Sequence, residues 1–253
     1  MKLNFKVSGE GEPVLILHGL LGSLDNWQTI ARKMSEKFKV YIIDQRNHGK
    51  SPHSSEMNYK VMAEDVVELM DDENITSAYV IGHSMGGKTA MQLAADHPER
   101  VEKLVVVDIA PKEYEAGHDK IFEAMYGLNL GDIQSREEAD EMMAEKISDY
   151  DVRQFLLKNL SREKEGFEWK INLEDIHENY DEISSEIHFA WPFDKPVLFI
   201  RGGKSDYITE ADFDQIHSLF PRSEIKTLKD AGHWVHAEAM DQFFETVMKF
   251  FQK

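Results

Sequence analysis

The chain has no cysteine. Disulfides, thiolate nucleophiles and cysteine metal sites are therefore excluded, and a reducing compartment is compatible with the composition. Long apolar runs are missing too. Residues 1–7 alternate apolar and polar side chains like a strand, and the start of the chain has no apolar stretch of signal-peptide length. Nothing downstream reaches the roughly 20 apolar residues that span a bilayer. The expectation is a soluble cytoplasmic protein with no membrane partner. Basic residues are also scarce: 29 Lys and Arg stand against 47 Asp and Glu, a net charge of −18. Such a chain repels phosphate backbones and anionic membranes, so nucleic-acid binding is discarded. Walker loops, dinucleotide fingerprints and metal-ligand spacings are absent, and neither a cofactor nor a metal is expected.

What is present is 253 residues, of which 42% are apolar. That is enough for one globular unit with a sizeable core and an insertion. Short runs rich in Val and Ile occur at 14–17, 40–43, 79–81, 104–107 and 197–200. Each is too short for a helix and is bounded by Gly, Asp or Pro, as expected of strands buried on both faces of a parallel sheet. Helical patterns lie between them at 26–36, 59–70, 84–97 and 211–220, and a last one at 240–251 repeats Phe and Val at helical spacing. This alternation predicts an α/β protein with helices on both faces of a mostly parallel central sheet.

The alternation breaks once. Between Pro111 and Pro196 no buried strand is evident, only amphipathic helical stretches at 120–126, 136–147 and 152–160. Residues 1–111 and 196–253 read as the core, and 112–195 as a helical cap inserted into it. The cap carries 22 acidic and 10 basic side chains, which is −12 of the chain's −18. A plain solvated surface explains that charge. A sharper expectation is that an acidic lid disfavours polyanionic substrates such as acyl-CoA.

The strongest chemical signal is Gly82-His83-Ser84-Met85-Gly86, placed where the run 79–81 gives way to a helical pattern. Small residues there permit a tight turn that lifts a serine hydroxyl above the sheet at a helix N-terminus. The plain alternative is a Gly-rich turn with an unreactive serine. His18-Gly19-Leu20-Leu21-Gly22 follows the first buried run. It can aim the Leu20 N–H at a carbonyl oxygen, with the Met85 N–H as the second donor of an oxyanion hole. A serine needs a base, and His233 in Ala231-Gly232-His233 is the best placed of 11 histidines, with His236 as its nearest rival. His97, His177 and His217 lie in helical or polar stretches. The acid is open between Asp108, which ends the run 104–107, and Asp206, in the loop after 197–200. Both stand at carboxyl ends of strands, where open α/β sheets place ligands. Asp44-Gln45-Arg46-Asn47-His48-Gly49-Lys50-Ser51 reads as a structural turn network, and Met57, Met62 and Met70 as core filler.

Together, His18-Gly19, the 44–51 motif, the turn around Ser84 and the late Gly232-His233 resemble the α/β-hydrolase fold superfamily over nearly the whole chain. More narrowly, the sequence is similar to YbfF-type bacterial esterases and their abhydrolase-11 relatives. That likeness lies in the stretches 20–27, 46–49, 82–88, 107–111 and 232–238. The resemblance implies cofactor-free hydrolysis of short- to medium-chain acyl esters or thioesters, with a small-molecule acyl ester as the partner. It places the acid after the family's sixth strand, which maps onto Asp108, whereas this chain also keeps Asp206. A C–C bond hydrolase or lyase uses the same scaffold, and a non-catalytic ligand-binding protein can share it. A haloalkane dehalogenase is disfavoured, because that chemistry uses an aspartate where Ser84 stands. Oligomeric state is not legible from the sequence.

Overall fold

The computed structural model describes residues 1–115, 117–164 and 166–253. The strands are β1 (Phe5–Ser8), β2 (Pro13–Leu17), β3 (Lys39–Ile43), β4 (Ala78–His83), β5 (Val101–Val107), β6 (Leu160–Glu163), β7 (Gly166–Trp169), β8 (Val197–Gly202) and β9 (Ser223–Leu228). The helices of the first half are α1 (Gln28–Met34), α2 (Tyr59–Asp72) and α3 (Met85–Asp96). Between β5 and β8 come α4 (Asp119–Tyr126), α5 (Arg136–Ala144), α6 (Tyr150–Leu157), α7 (Leu173–Glu178) and α8 (Tyr180–Ser184). The chain ends with α9 (Phe213–Leu219), α10 (Val235–Glu238) and α11 (Met240–Phe251).

Seven strands form one sheet in the order β1-β3-β2-β4-β5-β8-β9. Only β1 runs antiparallel, pairing with β3 at the edge. The pattern of period two divides the core. Leu15, Leu17, Tyr41, Ile43, Val80, Leu104, Val106 and Phe199 face α2 and α3 in one cluster. Val14, Ile16, Val40, Ile42, Ile81, Val105, Val107, Leu198 and Ile200 face the opposite way. There they meet Ile30 and Met34 of α1 and Phe243, Val247, Phe250 and Phe251 of α11. Each such fully buried side chain contributes roughly 1.5–3 kcal/mol by leaving water. The runs are apolar at every position because both faces are covered.

Register aligns the strand ends. Leu17 pairs with Gly82, His83 with Val107, Val107 with Ile200 and Gly202 with Leu228. The loops leaving β2, β4, β5, β8 and β9 therefore gather along one edge of the sheet, where doubly wound folds place their ligands.

The element boundaries differ from expectation in instructive ways. The first helical pattern splits, because Leu24–Trp27 is a 3-10 turn before α1. The three-residue repeat of a 3-10 turn resembles α periodicity closely enough to be merged with it. The stretch 136–147 ends at Ala144, and 152–160 ends as α6 at Leu157. The segment between β5 and β8 is also not wholly helical. β6 and β7 form an antiparallel hairpin in which Leu160 and Phe167 are buried while their neighbours reach solvent. Strands of four residues with one buried side chain each carry too little alternation to be read from sequence. Asn58, Ser135 and Asp149 cap α2, α5 and α6 by accepting from backbone N–H groups. Met57, Met62 and Met70 are buried in the core. Among the described residues, no helix is long and apolar enough to cross a membrane.

Candidate active site

Ser84 sits in the turn between β4 and α3 with φ 51° and ψ −120°. That backbone conformation costs on the order of 1–3 kcal/mol for a residue bearing a side chain. The flanking glycines show what holds it. A Cβ on Gly82 would strike the Gly86 carbonyl, and one on Gly86 would strike the Leu17 carbonyl. The turn is thus wedged against the end of β2, and the Ser84 N–H donates to the Val107 carbonyl of β5 at 3.0 Å. The strain lifts the hydroxyl out of the sheet.

The Ser84 Oγ lies 3.0 Å from Nε2 of His233, in the loop after β9. The other ring nitrogen, Nδ1, lies 2.8 Å from Oδ2 of Asp108, just beyond β5. Asp108 is wholly buried, with φ 51°. Its carboxylate also accepts the Gly202 N–H at 2.8 Å and the Ser205 hydroxyl. Asp206, the alternative acid, is exposed, and the structure does not bring it to the His233 ring. The rival base His236 is buried and stacks on Trp27 with ring centroids 4.2 Å apart, so its ring is committed to packing. His97 bonds Glu64 at the surface, and His177 and His217 are exposed.

The N–H groups of Leu20 and Met85 have no protein acceptor among the described residues. Met85 is the first residue of α3, where backbone donors stay free. Leu20 is held by its neighbours. The Leu21 N–H donates to His48 Nε2 at 3.1 Å, and the Gln45 N–H donates to His18 Nε2 at 3.0 Å. The His48 and His18 Nδ1–H groups donate to the Arg46 and Gly19 carbonyls, each at 2.8 Å. With a backbone N–H aimed at Nε2, neither ring can take a second proton without losing that bond. Burial pushes His18 down to about 4 and His48 to about 3. Asp44 completes the network, accepting the Leu24 N–H at 2.8 Å and the Lys50 N–H at 3.0 Å. The 44–51 turn network thus carries the loop that presents Leu20.

Four contributors were not read from the sequence. Tyr207 stacks on His233 with centroids 3.9 Å apart. Ser205 donates to Asp108, and the His83 Nε2–H donates to the His233 carbonyl at 2.9 Å. Lys88 is buried on α3, donating to the Ser184 and Ser185 carbonyls, and burial lowers it to about 7. Of these, His83 lies within the serine motif and Lys88 two residues after it, whereas Tyr207 and Ser205 had no signal beyond their loop. Among the described residues, no group of three or more His, Asp or Glu side chains is placed to hold a metal ion. A hydroxyl, an imidazole and a buried carboxylate in line can move a proton off the hydroxyl while two N–H groups receive a developing oxyanion.

A mostly parallel sheet with a strained serine turn after a central strand and a histidine on the last strand's loop defines the α/β-hydrolase class. The alpha/beta hydrolase fold family matches residues 12–239, and the chain belongs to that family. Within it, the chain is 38% identical over 257 residues to the esterase YbfF of Escherichia coli strain K12, covering 99% of each. It is 40% identical over 248 residues to the sn-1-specific diacylglycerol lipase ABHD11 of Xenopus laevis, covering 95% of this chain and 80% of that one. A solved marine microorganism esterase superposes with a TM-score of 0.96 at 43% identity, covering 98% of this chain and 99% of that one.

Proposed function

We propose that this protein is a serine carboxylesterase acting on acyl esters, with thioesters as a further substrate class. The observation that carries the reading is the His233 ring between Ser84 Oγ, at 3.0 Å, and Asp108, at 2.8 Å. The relatives named esterase and lipase support the class of bond cleaved. Ser84 Oγ attacks the acyl carbonyl carbon as its proton passes to His233 Nε2. The N–H groups of Leu20 and Met85 hold the oxyanion, and Asp108 stabilises the imidazolium. The C–O bond to the leaving group then breaks, and His233 hands its proton to the departing oxygen. A water molecule attacks the acyl-enzyme by the same route in reverse, releasing the acid and restoring the Ser84 hydroxyl. Residues 112–195 act in this reading as a cap over a core formed by 1–111 and 196–253.

Ser84→Ala tests the proposal. It is expected to abolish hydrolysis of p-nitrophenyl acetate and butyrate and labelling by a fluorophosphonate probe. Substantial turnover in the variant would overturn the assignment.

A further inference from the structure

Two cavities of unequal size meet at Ser84. The larger has a volume of about 700 Å³, and its walls include His233, Trp234, Val152 and Phe155. The smaller has a volume of about 50 Å³, and its walls include Met85, Tyr59, Tyr114, Tyr180, Tyr207 and Ile183. Ser84 and Leu20 border both, but His233 borders only the larger and Met85 only the smaller.

The chemistry assigns a side to each half of a substrate. His233 takes the serine proton and must deliver it to the leaving oxygen, so that oxygen departs on the His233 side. The alcohol half of the ester therefore occupies the larger cavity, and the acyl chain points the other way. We propose that the small tyrosine-walled cavity is an acyl-binding pocket limited to chains of at most about four to six carbons, while bulky alcohols are accepted on the opposite side. This rests on the esterase reading and adds which half of the ester is selected, and by which residues.

The size limit follows from the volume. A water-sized group needs roughly 10–15 Å³ of such space, so about 50 Å³ takes roughly three to five. With the carbonyl carbon held at Ser84, roughly three to five further carbons set the limit between butyryl and hexanoyl, and octanoyl, with about seven, exceeds it. A cavity of about 700 Å³ lies in the range that accepts drug-sized ligands.

The small pocket is also braced against widening. The Tyr59 hydroxyl donates to the Ile183 carbonyl at 2.5 Å, and the Tyr114 hydroxyl donates to the Tyr207 carbonyl at 2.6 Å while accepting the Ala110 N–H at 2.8 Å. Lys88 Nζ donates to the Ser185 carbonyl at 2.5 Å and to the Ser184 carbonyl at 3.1 Å. Spreading these walls would leave the buried Tyr59 hydroxyl and the part-buried groups of the other bonds without partners, which opposes widening.

Two substrate ladders on the unaltered protein test the assignment. With p-nitrophenol fixed as leaving group, kcat/KM is expected to fall at least tenfold from butyrate to octanoate. With acetate fixed as the acyl group, methyl, benzyl and naphthylmethyl esters are expected to show no such fall. Ile183→Ala should raise octanoate relative to butyrate at least tenfold and leave the alcohol ladder in place, whereas Phe155→Ala should change only the alcohol ladder. Octanoate cleaved as well as butyrate by the unaltered protein, or an acyl ladder that responds to Phe155→Ala instead of Ile183→Ala, overturns the proposal. Loss of the esterase reading looks different: no ester in either ladder is cleaved and Ser84 fails to label with fluorophosphonate, an outcome that sinks both.

Discussion

His233 Nδ1 lies 2.8 Å from Asp108 Oδ2, on a carboxylate that also accepts the Gly202 N–H and the Ser205 hydroxyl. Three donors converge on a wholly buried anion, which fixes both its position and the orientation of the imidazole. Asp206, between the half-buried Ser205 and Tyr207, faces solvent.

Asp108→Asn should therefore lower kcat on p-nitrophenyl butyrate by on the order of 10³–10⁴, the scale of losing the correct histidine tautomer. Asp206→Asn should stay within about twofold. Steady-state kinetics on both variants decides the point, and the reverse ranking would transfer the role to Asp206.

In the proposed mechanism His48 supports the loop that presents Leu20, and it lines neither of the two cavities at Ser84. His48→Ala leaves the Leu21 N–H without its acceptor. The expected cost is about 1–3 kcal/mol of stability, with a fall of about tenfold in kcat as Leu20 loses its fixed position. His48→Gln, whose side-chain oxygen can accept the same N–H, should recover part of both. Urea unfolding paired with esterase kinetics measures the two effects, and unchanged kcat in His48→Ala would remove the loop-positioning role.

Acid should destabilise the fold early. Burial lowers His18 to about 4, His48 to about 3 and His236 to about 3, with the His233 charge acting in the same direction on His236. In the folded protein these rings stay neutral as the pH falls below about 6.5, whereas in the unfolded chain they bind protons. The unfolded state then holds more protons, so stability decreases from about pH 6.5 down towards 4, by up to about 1.4 kcal/mol per pH unit for each ring. Melting temperatures at pH 7 and pH 5 should show the loss, and His236→Gln should make it smaller. A flat profile between those values would contradict the buried neutral state.

The larger cavity has a wall that is acidic on balance. Asp25, Asp149, Asp151 and Glu238 line it, opposed by Lys158 in the wall and by Lys6 paired with Asp25 at 3.2 Å. Butyryl-CoA, whose polyanionic leaving group must enter that side, should be cleaved about tenfold or more less efficiently than a neutral butyryl ester at low salt. The gap should narrow in 0.5 M NaCl, where charges are screened within a few ångströms. Equal efficiency at low salt would dismiss the acidic rim as a selector.

Much of the architecture was legible because it is written in local periodicity. The runs that became β2, β3, β4, β5 and β8 are apolar at consecutive positions, and α11 spans Met240–Phe251 as its Phe and Val spacing predicts. The hairpin Leu160–Glu163 and Gly166–Trp169 escaped because it buries so few side chains. Tyr207 and Lys88 escaped for another reason: nothing in the neighbouring sequence says that a tyrosine will lie flat on His233 or that a lysine will be enclosed beside Ser84.

The sequence alone determined the sheet, through short runs apolar at consecutive positions, and the serine turn, through glycines at 82 and 86 where a Cβ would strike neighbouring carbonyls. Only the tertiary structure brings the Asp108 carboxylate, rather than Asp206, to His233, and only it divides the space around Ser84 into a large and a small cavity. The His233 to Asp108 bond joins residues 125 positions apart. Such pairing depends on strand register and loop closure across the sheet, and spacing along the chain carries no record of either.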